Sequence, residues 1–393
     1  MEISARESET WRNFRKAVFV ANTGFALFNF RMSLIEHLCT TGWEVIAAAN
    51  DEGNYKSKFA AKGINFVDLQ IDHKGKNPFF DMLFIAQLFR LYKLEKPNLV
   101  HHFTIKPVIY GSVAAKLARV PRIVNTVTGL GYAFLKDDFF QKMVANLYRI
   151  ALVGRPSVIF QNQDDQDFFV AKGIIKEHQS HLVPGSGVDT KKVYPIGKKR
   201  ANICLKFLFV SRMLWSKGVA EFVAAAEKVK RQYPEVEFLM AGGFSGGGSA
   251  ANPDAVPVQW LQEKNDRKII TWLGRISNEK VLLLMDQCDV FVLPSYYPEG
   301  IPRTMIEACA MGKPIITTDT PGCREAVRSG ENGFLVRPKD IGALVEKMRY
   351  FLLHPDEIIT MGDRSRYKAE TDFDEEIVIS KTCLIYKKAE ARC

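Results

Sequence analysis

No apolar run in these 393 residues reaches the ~18–20 residues that a membrane-spanning helix needs. The N-terminus, MEISARESETWRNFRK, is polar and mixed in charge, without the apolar centre of a signal peptide. Cysteine is sparse. Seven are scattered from Cys39 to Cys393 with no C-x-x-C pair, which argues against a zinc site and a disulfide framework. Most are expected to be small core residues of a reducing compartment. The glycine-rich run GGFSGGGS at Gly242–Ser249 has no G-K-[ST] ending, so it is expected to be a mobile loop and not a P-loop. GLGYAF at Gly129–Phe134 lacks the third glycine of a dinucleotide fingerprint and follows the fifth strand instead of the first.

What remains is a globular composition, 47% hydrophobic and 25% charged, in a chain long enough for two domains. The net charge of +10 suits an anionic partner: nucleic acid, a phospholipid surface or a phosphorylated substrate. Short β-branched runs alternate with helical patterns from Lys16 to Lys172 and again from Phe207 onward. That alternation predicts βαβ units and parallel sheets covered on both faces. The fold class is therefore α/β, with two doubly wound, Rossmann-like domains and a cleft between them. The expected divisions are a leader (1–15), a first domain (16–190), a linker (191–203) and a second domain (204–372). A C-terminal segment (373–393) packs back as a helix on the first domain. Ligands of open α/β sheets bind at the C-terminal strand ends, so the loops there are the candidate site.

The stretch Leu293–Val327, LPSYYPEGIPRTMIEACAMGKPIITTDTPGCREAV, carries Glu299 and Glu307 with seven residues between them. A helix is expected to start near Pro302 and Arg303, so one glutamate precedes its N-terminus and the other lies just inside it. Free N–H groups and the positive dipole end favour an anion between the two carboxylates. A ligand with hydroxyls on both sides of a phosphate, such as a nucleotide-sugar, fits that pattern. Upstream, SRMLWSKG at Ser211–Gly218 follows a strand and opens a helix. Its Arg212 and Lys217 can meet a diphosphate as fork and point charge.

With these motifs, the chain resembles the retaining glycosyltransferases of family 4, which have the GT-B fold. The resemblance rests on SRMLWSKG, on EGIPRTMIEACAMGKPI at Glu299–Ile315, on Gly274–Arg275 and on the two-domain order, and it spans about residues 16–390. It implies that Glu307 holds the donor ribose and that Glu299 holds the transferred sugar. Arg212 and Lys217 would neutralise the leaving diphosphate. Backbone groups at Gly300, Ile301, Pro302 and Arg303 would meet the sugar and β-phosphate, Arg275 and Ile276 the base, and Gly24 the phosphates from the first domain. No metal or other cofactor is expected, since these cationic groups can neutralise the leaving group. Asp165–Gln166–Asp167 has D-x-D spacing but is read as helix capping.

VHHFTIKPVIYGSVAAK at Val100–Lys116 and NTVTGLGYAF at Asn125–Phe134 resemble a bacterial subgroup that builds surface glycans on undecaprenyl diphosphate. The acceptor implied is a polyprenyl-diphosphate-linked sugar, contacted by His102, Lys106, Thr128 and Gly129. The chain departs from the family at Thr128, where many members carry a histidine beside the transferred sugar. His102 is the candidate to replace part of that role. FFDMLFIAQLFRLYK (Phe79–Lys93) and FFQKMVANLYRIALVGR (Phe139–Arg155) combine apolar, aromatic and basic residues suited to an anionic membrane interface. The expectation is a UDP-sugar transferase, peripheral on the cytoplasmic face of a bacterial inner membrane, without a nucleic-acid partner. Two alternatives remain open. One is a soluble GT-B transferase or nucleotide-sugar epimerase. The other is a non-catalytic sugar- or nucleic-acid-binding protein on a relict transferase fold.

Overall fold

The computed structural model describes residues 15–71, 78–135, 139–197, 204–244 and 252–390. The leader up to residue 14, the end of the linker (198–203), most of the glycine-rich run and the last three residues lie outside the described residues.

The first half forms β1 (Arg15–Thr23), β2 (Trp43–Asn50), β3 (Asn65–Asp68), β4 (Leu99–Phe103), β5 (Arg122–Val127), β6 (Ser157–Phe160) and β7 (Ser180–Leu182). Their order is β3-β2-β1-β4-β5-β6-β7, and every pairing is parallel. The second half forms β8 (Lys206–Val210), β9 (Glu237–Ala241), β10 (Thr271–Trp272), β11 (Val290–Leu293), β12 (Ile315–Thr318) and β13 (Gly333–Val336). That sheet is also parallel and runs β10-β9-β8-β11-β12-β13. A parallel sheet is covered on both faces, which is why its central strands read as near-continuous apolar runs such as VFVL and FLFV. In each sheet the strand order reverses beside the first strand of the half, between β1 and β4 and between β8 and β11. The loops after those strands therefore line the crevice where ligands of this architecture bind.

The chain crosses between the sheets twice. At the crossing, Val188 N–H donates to the Phe373 carbonyl at 2.9 Å and Glu375 N–H to the Val188 carbonyl at 3.0 Å. Helix Glu375–Glu390 follows and buries Val378, Ile379, Ile385 and Tyr386 in the core of the first domain. Among the described residues no helix is long and apolar enough to cross a membrane.

Candidate active site

The turn Trp215–Lys217 and the stretch after β11 build the second-domain side of the cleft. Gly218 takes φ +79°, and a Cβ there would collide with the Pro294 carbonyl, so the two loops touch backbone to backbone. Asp254 fixes the turn: its carboxylate accepts from Ser216 N–H at 3.1 Å and from the Ser216 hydroxyl, and its carbonyl accepts from Trp215 N–H at 2.8 Å. Lys217 is thereby held in a buried position, 4% exposed, with its ammonium paired to Glu299. Burial pushes the Lys217 pKa down and the Glu299 charge opposes that shift. Glu299 also accepts from the Ser295 hydroxyl at 3.0 Å. Arg212 and Lys217 converge on one ring, lying 5.4 Å and 5.0 Å from the centre of Tyr297.

Helix Arg303–Ala310 starts one residue after Pro302. Glu307 is buried on it and accepts from Arg303 Nε at 2.9 Å, one turn back. Arg303 also donates to the Ser186 hydroxyl at 3.2 Å and to the Gly187 carbonyl, in the segment that joins the domains. Among the described residues the N–H groups of Arg303 and Thr304 meet no acceptor. That N-terminus is left with free donors between the two carboxylates. Ile301 faces the second-domain core.

The first domain meets this stretch through the loop after β5. Gly300 N–H donates to the Thr128 carbonyl at 2.9 Å, and Gly131 N–H to the Pro298 carbonyl at 2.6 Å. Gly129 has φ +112°, and a Cβ there would strike the backbone of Glu299 and Gly300. Thr128 thus contributes its carbonyl to the interdomain contact, and the Gly300 donor is occupied in this state. Arg324 adds a two-oxygen ion pair to Asp164 across the domains, 3.0 Å to each oxygen. Gly24 opens helix Gly24–Thr40, capped by the Thr23 hydroxyl. A Cβ at Gly24 would meet Tyr55 at 2.6 Å, so packing on Tyr55 requires the small residue there. Arg275 is exposed and Ile276 half-buried in the loop after β10, with Gly243 close against Arg275.

Two first-domain expectations find a different setting. His102 is fully buried under helix Pro78–Glu95, not open to the cleft. One ring nitrogen is 2.9 Å from Tyr92 Oη and the other 2.9 Å from Asn125 Oδ1. Burial lowers its pKa to about 4, so it is neutral and fully engaged. It sits on an all-buried parallel strand, where alternate residues face opposite packed layers, and this corrects its assignment to the acceptor. Lys106 is paired with Asp81 at 2.6 Å, and Tyr110 donates to the same carboxylate at 2.7 Å. Asp165 belongs to a helix start capped by Asn162, whose Oδ1 accepts from Asp165 N–H at 2.8 Å. Among the described residues no group of three or more His, Cys, Asp or Glu side chains is arranged to hold a metal.

Sequence reasoning missed Tyr297, Ser295 and Asp254. The first two lie inside the stretch already singled out, and their signal was proximity to Glu299. Asp254 is distant in sequence from the turn it holds and left no local signal.

Residues 16–162 match the family Glycosyl transferase 4-like and residues 199–369 match Glycosyl transferases group 1, so the two halves of the chain fit the two halves of one architecture. The chain is a GT-B glycosyltransferase. The transferase is 27% identical over 387 residues to the N,N'-diacetylbacillosaminyl-diphospho-undecaprenol alpha-1,3-N-acetylgalactosaminyltransferase of Campylobacter jejuni, covering 94% of this chain and 98% of that protein. It is 26% identical over 284 residues to the UDP-Gal:alpha-D-GlcNAc-diphosphoundecaprenol alpha-1,3-galactosyltransferase of Escherichia coli, covering 68% of this chain and 70% of that one. Among solved structures, Anabaena HepE in complex with UDP-glucose superposes with a TM-score of 0.77 at 18% identity, covering 95% and 99% of the two chains.

Proposed function

We propose that the transferase moves a hexose or N-acetylhexosamine from a UDP-sugar to an undecaprenyl-diphosphate-linked saccharide, with retention of anomeric configuration. The observation that carries the donor half is the meeting of Arg212, Lys217 and Glu299 around Tyr297, beside the free N–H groups of helix Arg303–Ala310. In the ligand-free state Lys217 and Glu299 neutralise each other. A diphosphate reaching Lys217 offers it a second anionic partner and releases Glu299 to accept sugar hydroxyls. Glu307 takes the ribose hydroxyls, and the helix N-terminus faces the β-phosphate. The acceptor oxygen attacks C1 on the face from which the phosphate leaves. The C1–O bond to phosphate breaks as the new glycosidic bond forms, and the acceptor hydroxyl proton passes to a phosphate oxygen. The chain's part is positioning and charge stabilisation. Thr128 and Gly129 shape the acceptor side, and Lys106 reaches an acceptor phosphate by leaving Asp81.

The lipid-linked acceptor rests on the two curated relatives, both named for undecaprenol-linked acceptors. A membrane surface fits two exposed edges of the first domain: Phe79 (62% exposed) and Met82 (68%) on helix Pro78–Glu95, and Phe139 (82%) on helix Phe139–Leu152. Arg90, Lys93 and Lys142 are exposed on the same helices and suit anionic head groups. Calorimetric titration with UDP tests the donor site: wild type binds, and Glu307→Ala and Lys217→Ala each weaken binding at least about tenfold. Unchanged UDP affinity in both would overturn the assignment.

A further inference from the structure

A cavity of about 170 Å³ lies where the chain crosses between the domains, under helix Gly24–Thr40 and against helix Glu375–Glu390. Arg31 lines it and is 9% exposed, yet among the described residues its guanidinium meets no hydrogen-bond acceptor and lies over the Phe103 ring, 4.6 Å from the ring centre. A buried charge without a counter-ion is costly, and native chains rarely keep one unless something pairs with it. Arg303 lines the same cavity from the second domain, and its charge adds to the burial that pushes Arg31 down to about 10. Arg31 thus remains a cation at neutral pH. The nearby acceptors are already engaged: His101 bonds Tyr386 and Thr126 through its two nitrogens, and the Glu375 carboxylate accepts from Ser33. That leaves the Arg31 guanidinium without a hydrogen-bond acceptor, in a cavity lined by two guanidinium groups and one carboxylate, with Arg303 already paired to Glu307.

We propose that this cavity is a binding site for one small, singly charged oxyanion, a carboxylate or dihydrogen phosphate, held in the fork of Arg31 and shared with Arg303. A cavity of about 150 Å³ holds a benzene-sized group, so this one has room for either anion. The guanidinium fork matches the two oxygens of either anion. Because Arg31 belongs to the first domain and Arg303 to the second, the bound anion ties the domains at their crossing.

Sodium phosphate and, separately, sodium acetate are titrated calorimetrically into UDP-saturated protein at constant ionic strength, so that the donor site is already filled. Wild type should bind one anion, and Arg31→Gln should weaken that binding at least tenfold while leaving UDP affinity within twofold. Thr382→Leu, which fills the cavity without changing charge, should block the anion in the same way and serves if Arg31→Gln does not fold. Equal anion binding by wild type and both folded variants would overturn the proposal. So would the absence of binding heat from wild type with either anion, or anion binding that disappears once UDP is bound.

Discussion

Lys217 and Glu299 show how much a single buried pair decides. Lys217 pairs with Glu299 and lies over the Tyr297 ring, and Glu299 also accepts from Ser295, so in the proposed donor site removing Lys217 takes away both the diphosphate's cation and the charge that balances Glu299. Lys217→Ala should lower kcat by about 10²–10³-fold. The circular dichroism spectrum should stay native, and steady-state kinetics well below the melting temperature provide the check. Asp165 makes a second prediction. Burial raises its pKa from 3.8 to about 7, so the folded state holds the proton more tightly than the unfolded chain does. Its contribution is complete below about pH 4 and is lost as pH rises through 7. Asp165→Asn should therefore stabilise the protein by about 1–3 kcal/mol at pH 8 and leave it unchanged at pH 3.5, read from melting curves at the two pH values. Arg212, Lys217, Glu299 and Glu307 stand out as candidates in the sequence because all four sit in short motifs that follow strands. It misplaced His102, because a strand-end histidine looks the same whether its ring enters a cleft or a packed layer. Tyr92 and Asn125 decide that, and both are distant in sequence.

At the scale of elements, the loop after β5 is the part that closes on the donor side. Gly129 holds φ +112° with no room for a Cβ against Glu299 and Gly300. Gly129→Ala should push the loop off the helix start and cut kcat/KM by about 10²-fold, since misplacement of about 1 Å costs that much. The melting temperature of each domain should change little. Helix Glu375–Glu390 ties back to β4 through Tyr386, whose hydroxyl is 2.6 Å from His101 Nδ1. Tyr386→Phe leaves that buried nitrogen unpaired and should destabilise by about 1–3 kcal/mol in denaturant titration. Most strands were legible because parallel sheets concentrate β-branched and aromatic residues. β7 and β13 were not. Ser180–Leu182 is too short to show a period, and Gly333–Val336 begins on a glycine just after the Glu331–Asn332 turn. Both are edge strands, paired on one side only, so packing imposes less pattern on them.

At the scale of the molecule, two sheets with reversed strand order and a double crossing make one cleft. Contacts across it, Gly300 to Thr128 and Arg324 to Asp164, hold the ligand-free chain with its domains together. The alternation of strands and helices made this architecture readable, whereas the closing contacts pair residues about 160–170 positions apart and have no local sequence signal. The exposed Phe79 and Phe139 edges belong to this scale as well. Phe79→Glu combined with Phe139→Glu should reduce co-flotation with anionic liposomes at least about tenfold while leaving UDP binding intact, since two apolar anchors and their charge complementarity are lost together.

The most direct measurement is mass spectrometry of the products formed from a panel of UDP-sugars and polyprenyl-diphosphate-linked saccharides. One donor should add a single hexose or N-acetylhexosamine mass to the lipid-linked acceptor with wild type, and none should with Lys217→Ala. A wild-type protein that extends only water-soluble acceptors, or transfers no sugar from any UDP donor, would contradict the account.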